Sequence, residues 1–337
     1  MATAWFTATA LLAVSASAEA LAYELTPLNL PNQVQWFGVS TPSRDVIWLS
    51  GADSMVARSI DGGVTWEVGK TGPSPLQLRD IEALDSDHAY ALSIGKDGDS
   101  RIYYTNDGGQ NWVLSYRGRG EQFLNCLAVS AKGEAWIYGD SIDGRWDMVR
   151  SADGRNWLPS RNAVDSQPLG GEGGLAASGA CTRYNDGVWA MATANATTAR
   201  VLIKRERGIR FKAVDTPMVA GPGAGIASIW PFSERHWLLA GGDLENPQRE
   251  PRLLEYQNGE FRELPQAPIA GALYSLTVLP NNEVLVTNPN GAAILDSGYE
   301  TWQVLSDSNI WNASCNGTSC FLVGKAGYVA KLTWSAD

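Results

Sequence analysis

Seven segments of the chain align on one large side chain: Trp48, Tyr90, Trp136, Trp189, Trp237, Val284 and Phe321. They are separated by 42, 46, 53, 48, 47 and 37 residues, and six of the seven are aromatic. Around them the chain reads as short apolar runs broken by Gly and Asp turns, with almost no helical periodicity. Sevenfold recurrence at this period, carried by short strands, predicts an all-β, seven-bladed β-propeller with four strands per blade.

A second repeated feature marks one turn of each unit. "SIDGGVTW" places Ser59, Asp61, Gly63 and Trp66 in the same register as Thr105, Asp107, Gly109 and Trp112 in "TNDGGQNW". "SADGRNW" keeps Ser151, Asp153 and Trp157 but is one residue shorter, and "DSGYETW" (Asp296 to Trp302) is a decayed fourth copy. A catalytic centre is not copied along a chain at even intervals, whereas a turn is. The hydroxyl and carboxylate are expected to accept backbone N–H bonds, and the glycines to supply positive φ. The turn falls between the third and fourth strands of a blade, away from the axis.

The inner strands are expected to include "QWFGVS", "RDIEAL", "NCLAVS", "LAASGA", "ASIWPF", "YSLTVL" and "WNASC". The seventh unit stops after its third strand, so "YELTPLN" from Tyr23 is expected to supply the fourth and close the ring, removing an exposed edge. Residues 1–22 read as an export signal, with "ASA" and "ALA" as small-x-small cleavage sites and residues 23–337 as the propeller domain. No other stretch is long and apolar enough to cross a bilayer as a helix, so no transmembrane anchor is expected in the mature chain. Four cysteines suit an oxidising compartment, periplasmic or secreted. Cys315 and Cys320 flank a hairpin tip, and Cys126 and Cys181 lie on adjacent blades, so both pairs are expected as disulfides.

The turns are similar to the Asp-box, or BNR, repeat of sialidases and sortilin-type receptors. Over nearly the whole mature chain the sequence resembles the photosystem II stability/assembly-factor-like proteins, in "LRDIEALDSDHAYALSIG", "SRIYYTNDGGQNW", "DGRWDMVRSADGRNW" and "GEGGLAASGAC". The resemblance implies an exported, non-catalytic propeller that helps assemble or stabilise a protein complex. The photosynthetic members are associated with a basic surface patch. Here only "RVLIKRERGIRFK" (200–212) is basic, in a chain of net charge −10.

That charge leaves no field for phosphates and excludes a general nucleic-acid role. Neither cofactor nor metal is expected: no cysteine or histidine spacing suits zinc. The two histidines, His88 and His236, read as structural, and no Ser-His-Asp triad is identifiable. The alternative to a protein-binding monomer is a glycan-binding propeller or a glycoside hydrolase, whose two carboxylates would be Asp80 and Glu172 facing each other across the axis. Binding residues are expected at the channel mouth, where Arg79, Asp80, Asn125 and Glu172 would meet, with Tyr274 and Asn312 nearby.

Overall fold

A computed structural model describes residues 22–72, 75–250 and 252–335. Its 28 strands form seven four-stranded antiparallel sheets, six of them ordered inner to outer along the chain. The first blade runs Trp36–Ser40, Ile47–Gly51, Met55–Ser59 and Glu67–Lys70. In the seventh, Ile310–Asn316, Ser319–Gly324 and Val329–Trp334 are completed by Tyr23–Pro27, with Tyr23 opposite Trp334 and Pro27 opposite Ala330. The N-terminal strand therefore closes the ring. The export-signal reading falls, but for Ala22, outside the described residues. Among the described residues no helix is long and apolar enough to cross a membrane.

The aromatic column explains the repeat. Trp48, Tyr90, Trp136, Trp189, Trp237, Val284 and Phe321 all lie in second strands and are all buried. The Asp-Gly turns meet them from the following blade. A Cβ on Gly109 would stand 3.0 Å from the Trp48 ring, and one on Gly154 2.0 Å from the Tyr90 hydroxyl. Both glycines also have positive φ. Turn and column are thus two halves of one interblade joint, which is why they recur together. Gly109→Ala should cost about 1–3 kcal/mol through backbone strain and overpacking, read as a lower urea midpoint with unchanged slope.

Within the turns the short polar side chains do what the sequence suggests. Ser59 Oγ accepts from Gly63 N at 2.9 Å, and Asp61 Oδ1 accepts from Val64 N and Thr65 N at 3.0 and 2.9 Å. Thr105 with Asp107, and Ser151 with Asp153, repeat the arrangement. These hydrogen bonds hold Asp61 near pKa 2, those from the Thr65 hydroxyl and amide acting most strongly. Trp66 and Trp112 immediately precede the outer strands, and Trp157 begins one.

Both expected disulfides are present. Cys126, on the inner strand of blade three, joins Cys181 at the entrance to blade four, with Cα atoms 5.7 Å apart. Cys315 and Cys320 are register partners across the blade-seven hairpin, 4.0 Å apart at Cα.

One inner strand differs from expectation. In blade four it is Thr182–Asn185, and Leu175–Ala180 is not a strand. "LAASGA" is apolar enough to read as an inner strand. Its small residues instead let the backbone run close to the inner strands of other blades.

Candidate functional site

The inner strands begin with a shared irregularity. Register slips by one residue between Trp36 and Gly38, Leu78 and Asp80, Leu124 and Cys126, Ile226 and Ser228, and Ile310 and Asn312. Each slip is a bulge, and a bulge re-aims the extra side chain. The bulged residues are Phe37, Arg79, Asn125, Ala227 and Trp311; Phe37, Arg79 and Trp311 meet at one end of the axial channel, and Asn125 and Ala227 are buried.

At this mouth the Arg79 guanidinium lies 4.1 Å from the Phe37 ring centre and 5.0 Å from that of Trp311. Phe37 and Tyr274 meet Trp311 edge-on at 5.2 and 5.1 Å. Arg79 Nη2 donates to Gln77 Oε1 at 2.7 Å, and Nη1 reaches the carbonyls of Ala176 and Ala177 at 3.4 Å. Burial lowers the Arg79 pKa to about 10. Its cation is engaged on every side, so it staples blades one, two and seven to the segment ahead of blade four.

That segment plugs the channel. Ser178 donates to Tyr274 O at 2.8 Å, and Asn312 Nδ2 donates to Ser178 O at 2.5 Å, tying it to blades six and seven. A Cβ on Gly179 would lie 2.3 Å from the Asp80 carboxyl carbon in blade two, and one on Gly174 would meet Asn125 and Tyr138 in blade three. One end of the plug is anchored by Glu172. Its carboxylate is fully buried, accepts from Arg200 Nε at 2.9 Å and Leu169 N at 2.7 Å, and also pairs with Arg200 Nη2. The other end is anchored by the Cys126–Cys181 bridge.

The four residues expected to meet at the mouth are therefore distributed around the plug, in different surroundings. Arg79 faces the mouth. Asn125 is buried, with Nδ2 donating to Asp140 at 2.9 Å. Glu172 is consumed by Arg200. Asp80 turns beneath the plug, where its carboxylate accepts from Leu127 N at 2.7 Å. Burial, then the nearby Glu82 charge, push the Asp80 pKa well up. Asp80 and Glu172 do not share a cavity, and this separates the two carboxylates that hydrolysis across the axis would require. The histidines are side-chain partners of acids, His88 with Asp85 and His236 with Glu255, both at 2.9 Å. The basic run of blade four is divided: Arg205, Arg207, Arg210 and Lys212 are exposed at its edge, and the other two bases turn inward. Arg200 and Lys204 are buried, and Lys204 lies over Trp136 and Phe211.

With the mouth filled by the protein's own chain, the large concavity lies elsewhere. A groove of about 1400 Å³ separates blades two and three on the outer side. Tyr116 and Trp157 contribute aromatic surface, and Arg117, Arg119, Arg145 and Arg161 line it. All four arginines are exposed, and among the described residues none is in an ion pair. Of the acids in the lining, Glu121 is taken by Lys96 at 2.6 Å, and Asp147 accepts from Gln122 at 2.9 Å with its pKa raised by burial. Asp97 and Asp143 complete the set. The outer strand of blade three, Trp157–Pro159, is three residues long and supplies Trp157 and Pro159 to the groove. Leu114 and Leu158, adjacent in sequence to lining residues, are exposed. Sequence reading missed this groove. A shortened final strand ending at Pro159, together with "RGRGE" before the next blade, was the available signal.

Fold and site together define a seven-bladed β-propeller whose axial channel is occluded on one face and whose outer wall is cleft between two blades. Among solved structures, the chain is similar to YCF48 bound to a D1 peptide, with 15% identity, a TM-score of 0.63 and coverage of 94% of this chain and 97% of that one. It is also similar to YCF48 from Cyanidioschyzon merolae, at 12% identity and a TM-score of 0.60 over 92% and 98% of the two chains. Virginiamycin B lyase from Staphylococcus aureus aligns at 11% identity and a TM-score of 0.67 over 93% and 99%. At these identities the likeness concerns the fold, which a peptide-bound protein and a lyase here share. No family model and no curated protein matches the chain.

Proposed function

We propose that this chain is an exported, non-catalytic Asp-box propeller that holds a segment of a protein partner, in the manner of an assembly factor of the cell envelope. The observation that carries this reading is the groove between blades two and three. It is large enough for an extended segment, has aromatic walls, and offers four exposed guanidinium groups, none in an ion pair among the described residues, with Arg161 acting at longer range on Asp147. Guanidinium suits bidentate capture of carboxylates, so the favoured segment is acidic with apolar anchors. The net charge of −10 does not oppose this. Charges beyond a Debye length of about 8 Å are largely screened at physiological salt, and the groove arginines act within it.

Three further observations support the reading. The plug denies ligands the axial channel from the mouth. Two disulfides suit an oxidising compartment. A structural neighbour is recorded with a bound peptide. The protein works as a monomer on this account, since closure by Tyr23–Pro27 leaves its ring complete.

The test is charge reversal. Arg117→Glu combined with Arg145→Glu should weaken partner capture from the native envelope by roughly tenfold or more, with unchanged circular dichroism and Tm. The loss should be mimicked by raising salt on the wild type. Undiminished capture by the double variant would refute the groove as the working surface.

A further inference from the structure

The turn between the third and fourth strands of blade four departs from its counterparts. Blades one, two and three carry Asp61, Asp107 and Asp153 there. Blade four has 206–211 instead, with bases on both sides of it. Arg205, Arg207, Arg210 and Lys212 are exposed, as is Arg235 on the adjoining turn of blade five. Glu234 pairs with Arg205 at 2.6 Å and Glu206 with Lys132 at 2.7 Å, while Arg207 acts on Glu206 at longer range. Arg207, Arg210, Lys212 and Arg235 are in no ion pair among the described residues. Asp165 and Asp186 stand nearby, which leaves this edge a basic excess in a chain of net charge −10.

The tip of this turn is apolar. Ile209 is 91% exposed and flanked in sequence by Arg207 and Arg210. Its exposure is not fraying. Glu206 N donates to Gly187 O at 2.7 Å, Gly208 N to Arg205 O at 2.8 Å, and Phe211 N to Ala163 O at 2.7 Å. Phe211 is fully buried and meets Trp136 edge-on, with ring centres 5.1 Å apart. The backbone is pinned on both sides of the isoleucine, whose side chain is thereby held out in solvent. A lone exposed apolar residue needs no explanation. An apolar tip among unpaired bases matches the chemistry of an anionic membrane surface.

We infer that this edge of blade four docks the propeller on an anionic lipid surface, with Ile209 inserted among the headgroups and Arg207, Arg210, Lys212 and Arg235 on lipid phosphates. Charge alone would also suit a soluble polyanion, but an exposed isoleucine gains only from an apolar interface. Trp136 and Phe211, the rings beside the turn, are buried, so the bases of a nucleic acid have nothing to stack on. The two signals are individually weak. A base near an anionic leaflet contributes on the order of fivefold in affinity, and one inserted isoleucine about tenfold. Docking is therefore reversible. Asp61, Asp107 and Asp153 occupy the equivalent turns of other blades and oppose seating the whole face, so the ring meets the surface by its blade-four edge. The inference uses no residue of the groove and does not rest on partner capture there.

The test is cosedimentation with vesicles of phosphatidylcholine, alone or mixed with phosphatidylglycerol. It uses residues 23–337, whose ring is complete from Tyr23, so that the apolar residues 1–22 cannot themselves bind lipid. The propeller should sediment with the mixed vesicles and not with phosphatidylcholine alone, and raised salt should release it. Arg207→Glu combined with Arg210→Glu should weaken binding by roughly a hundredfold or more, and Ile209→Ser by about tenfold. All three positions are exposed, so the variants should keep the wild-type Tm. Absence of binding to the mixed vesicles at low salt, or equal binding to both kinds, would overturn the inference. So would full affinity in Ile209→Ser, which would mark the edge as a site for a soluble polyanion.

Discussion

Replacing Arg200 by alanine should destabilise the protein by about 3–5 kcal/mol, the range for breaking a buried ion pair by removing one partner. The pair is desolvated on both sides: the Arg200 side chain is 6% exposed and that of Glu172 0%. Arg200 belongs to the third strand of blade four, Arg200–Arg205, and reaches inward to the base of the plug. Its Nη2 also donates to Gln167 O at 3.1 Å, and its guanidinium lies 5.4 Å from the Trp146 ring centre. Without it, Glu172 is a buried carboxylate supported only by the Leu169 amide. The energy should therefore be lost at the plug, and urea unfolding should be accompanied by accelerated proteolysis within Pro168–Gly179. Arg200→Met combined with Glu172→Leu should be much milder than either single change, because no charge is left stranded. A double variant as unstable as the sum of the singles would show that the two residues act independently.

The second large effect belongs to the aromatic column. Trp237→Ala should cost about 3–5 kcal/mol. The Trp237 ring is fully buried, lies 3.8 Å from Tyr256 in a stacked arrangement, and meets Phe261 edge-on at 5.9 Å. Its indole N–H donates to Glu234 O at 3.1 Å. Removing the ring leaves a cavity between two blades that a closed ring cannot readily collapse. Blade six carries Val284 at the same register, so Val284→Ala removes less volume and should cost clearly less. Guanidinium or urea midpoints of the two variants test the ordering. An equal loss would mean that the column is not where the blades derive their cohesion.

These two residues also mark what a sequence of this kind discloses. The column was legible because burial against a neighbouring blade demands the same kind of side chain at each turn of the ring. The closing strand at Tyr23, the Asp61, Asp107 and Asp153 turns and both cysteine pairs followed from that register. The inner strands were less legible for a local reason. Side chains alternate faces with a period of two, so one inserted residue reverses every assignment beyond it. The bulges at Phe37, Arg79, Asn125 and Trp311 are such insertions. They place Arg79 at the mouth and Asp80 under the plug, although the two are neighbours in sequence. Consecutive large side chains, Trp36–Phe37 and Ile310–Trp311, break strict alternation and were the visible trace of these bulges. The plug was hidden for the opposite reason. Leu175–Ala180 has a strand-like composition, and only its contacts with blades two, three, six and seven distinguish it from one. Glu172 was noticed as a carboxylate near the axis. Its partner Arg200 lies 28 residues away and belongs to a run of bases that reads as a solvated edge.

The central claim is that this propeller works through its outer groove and not through its axial channel. The most direct measurement places a photocrosslinking residue at Arg145, in the groove, or at Gln77, beside the plugged mouth, and compares the adducts formed in the native cell. The account predicts a discrete protein adduct from position 145 that disappears when Arg117 is reversed to Glu, and none from position 77. A discrete adduct from position 77 alone would contradict it and return the working surface to the channel mouth.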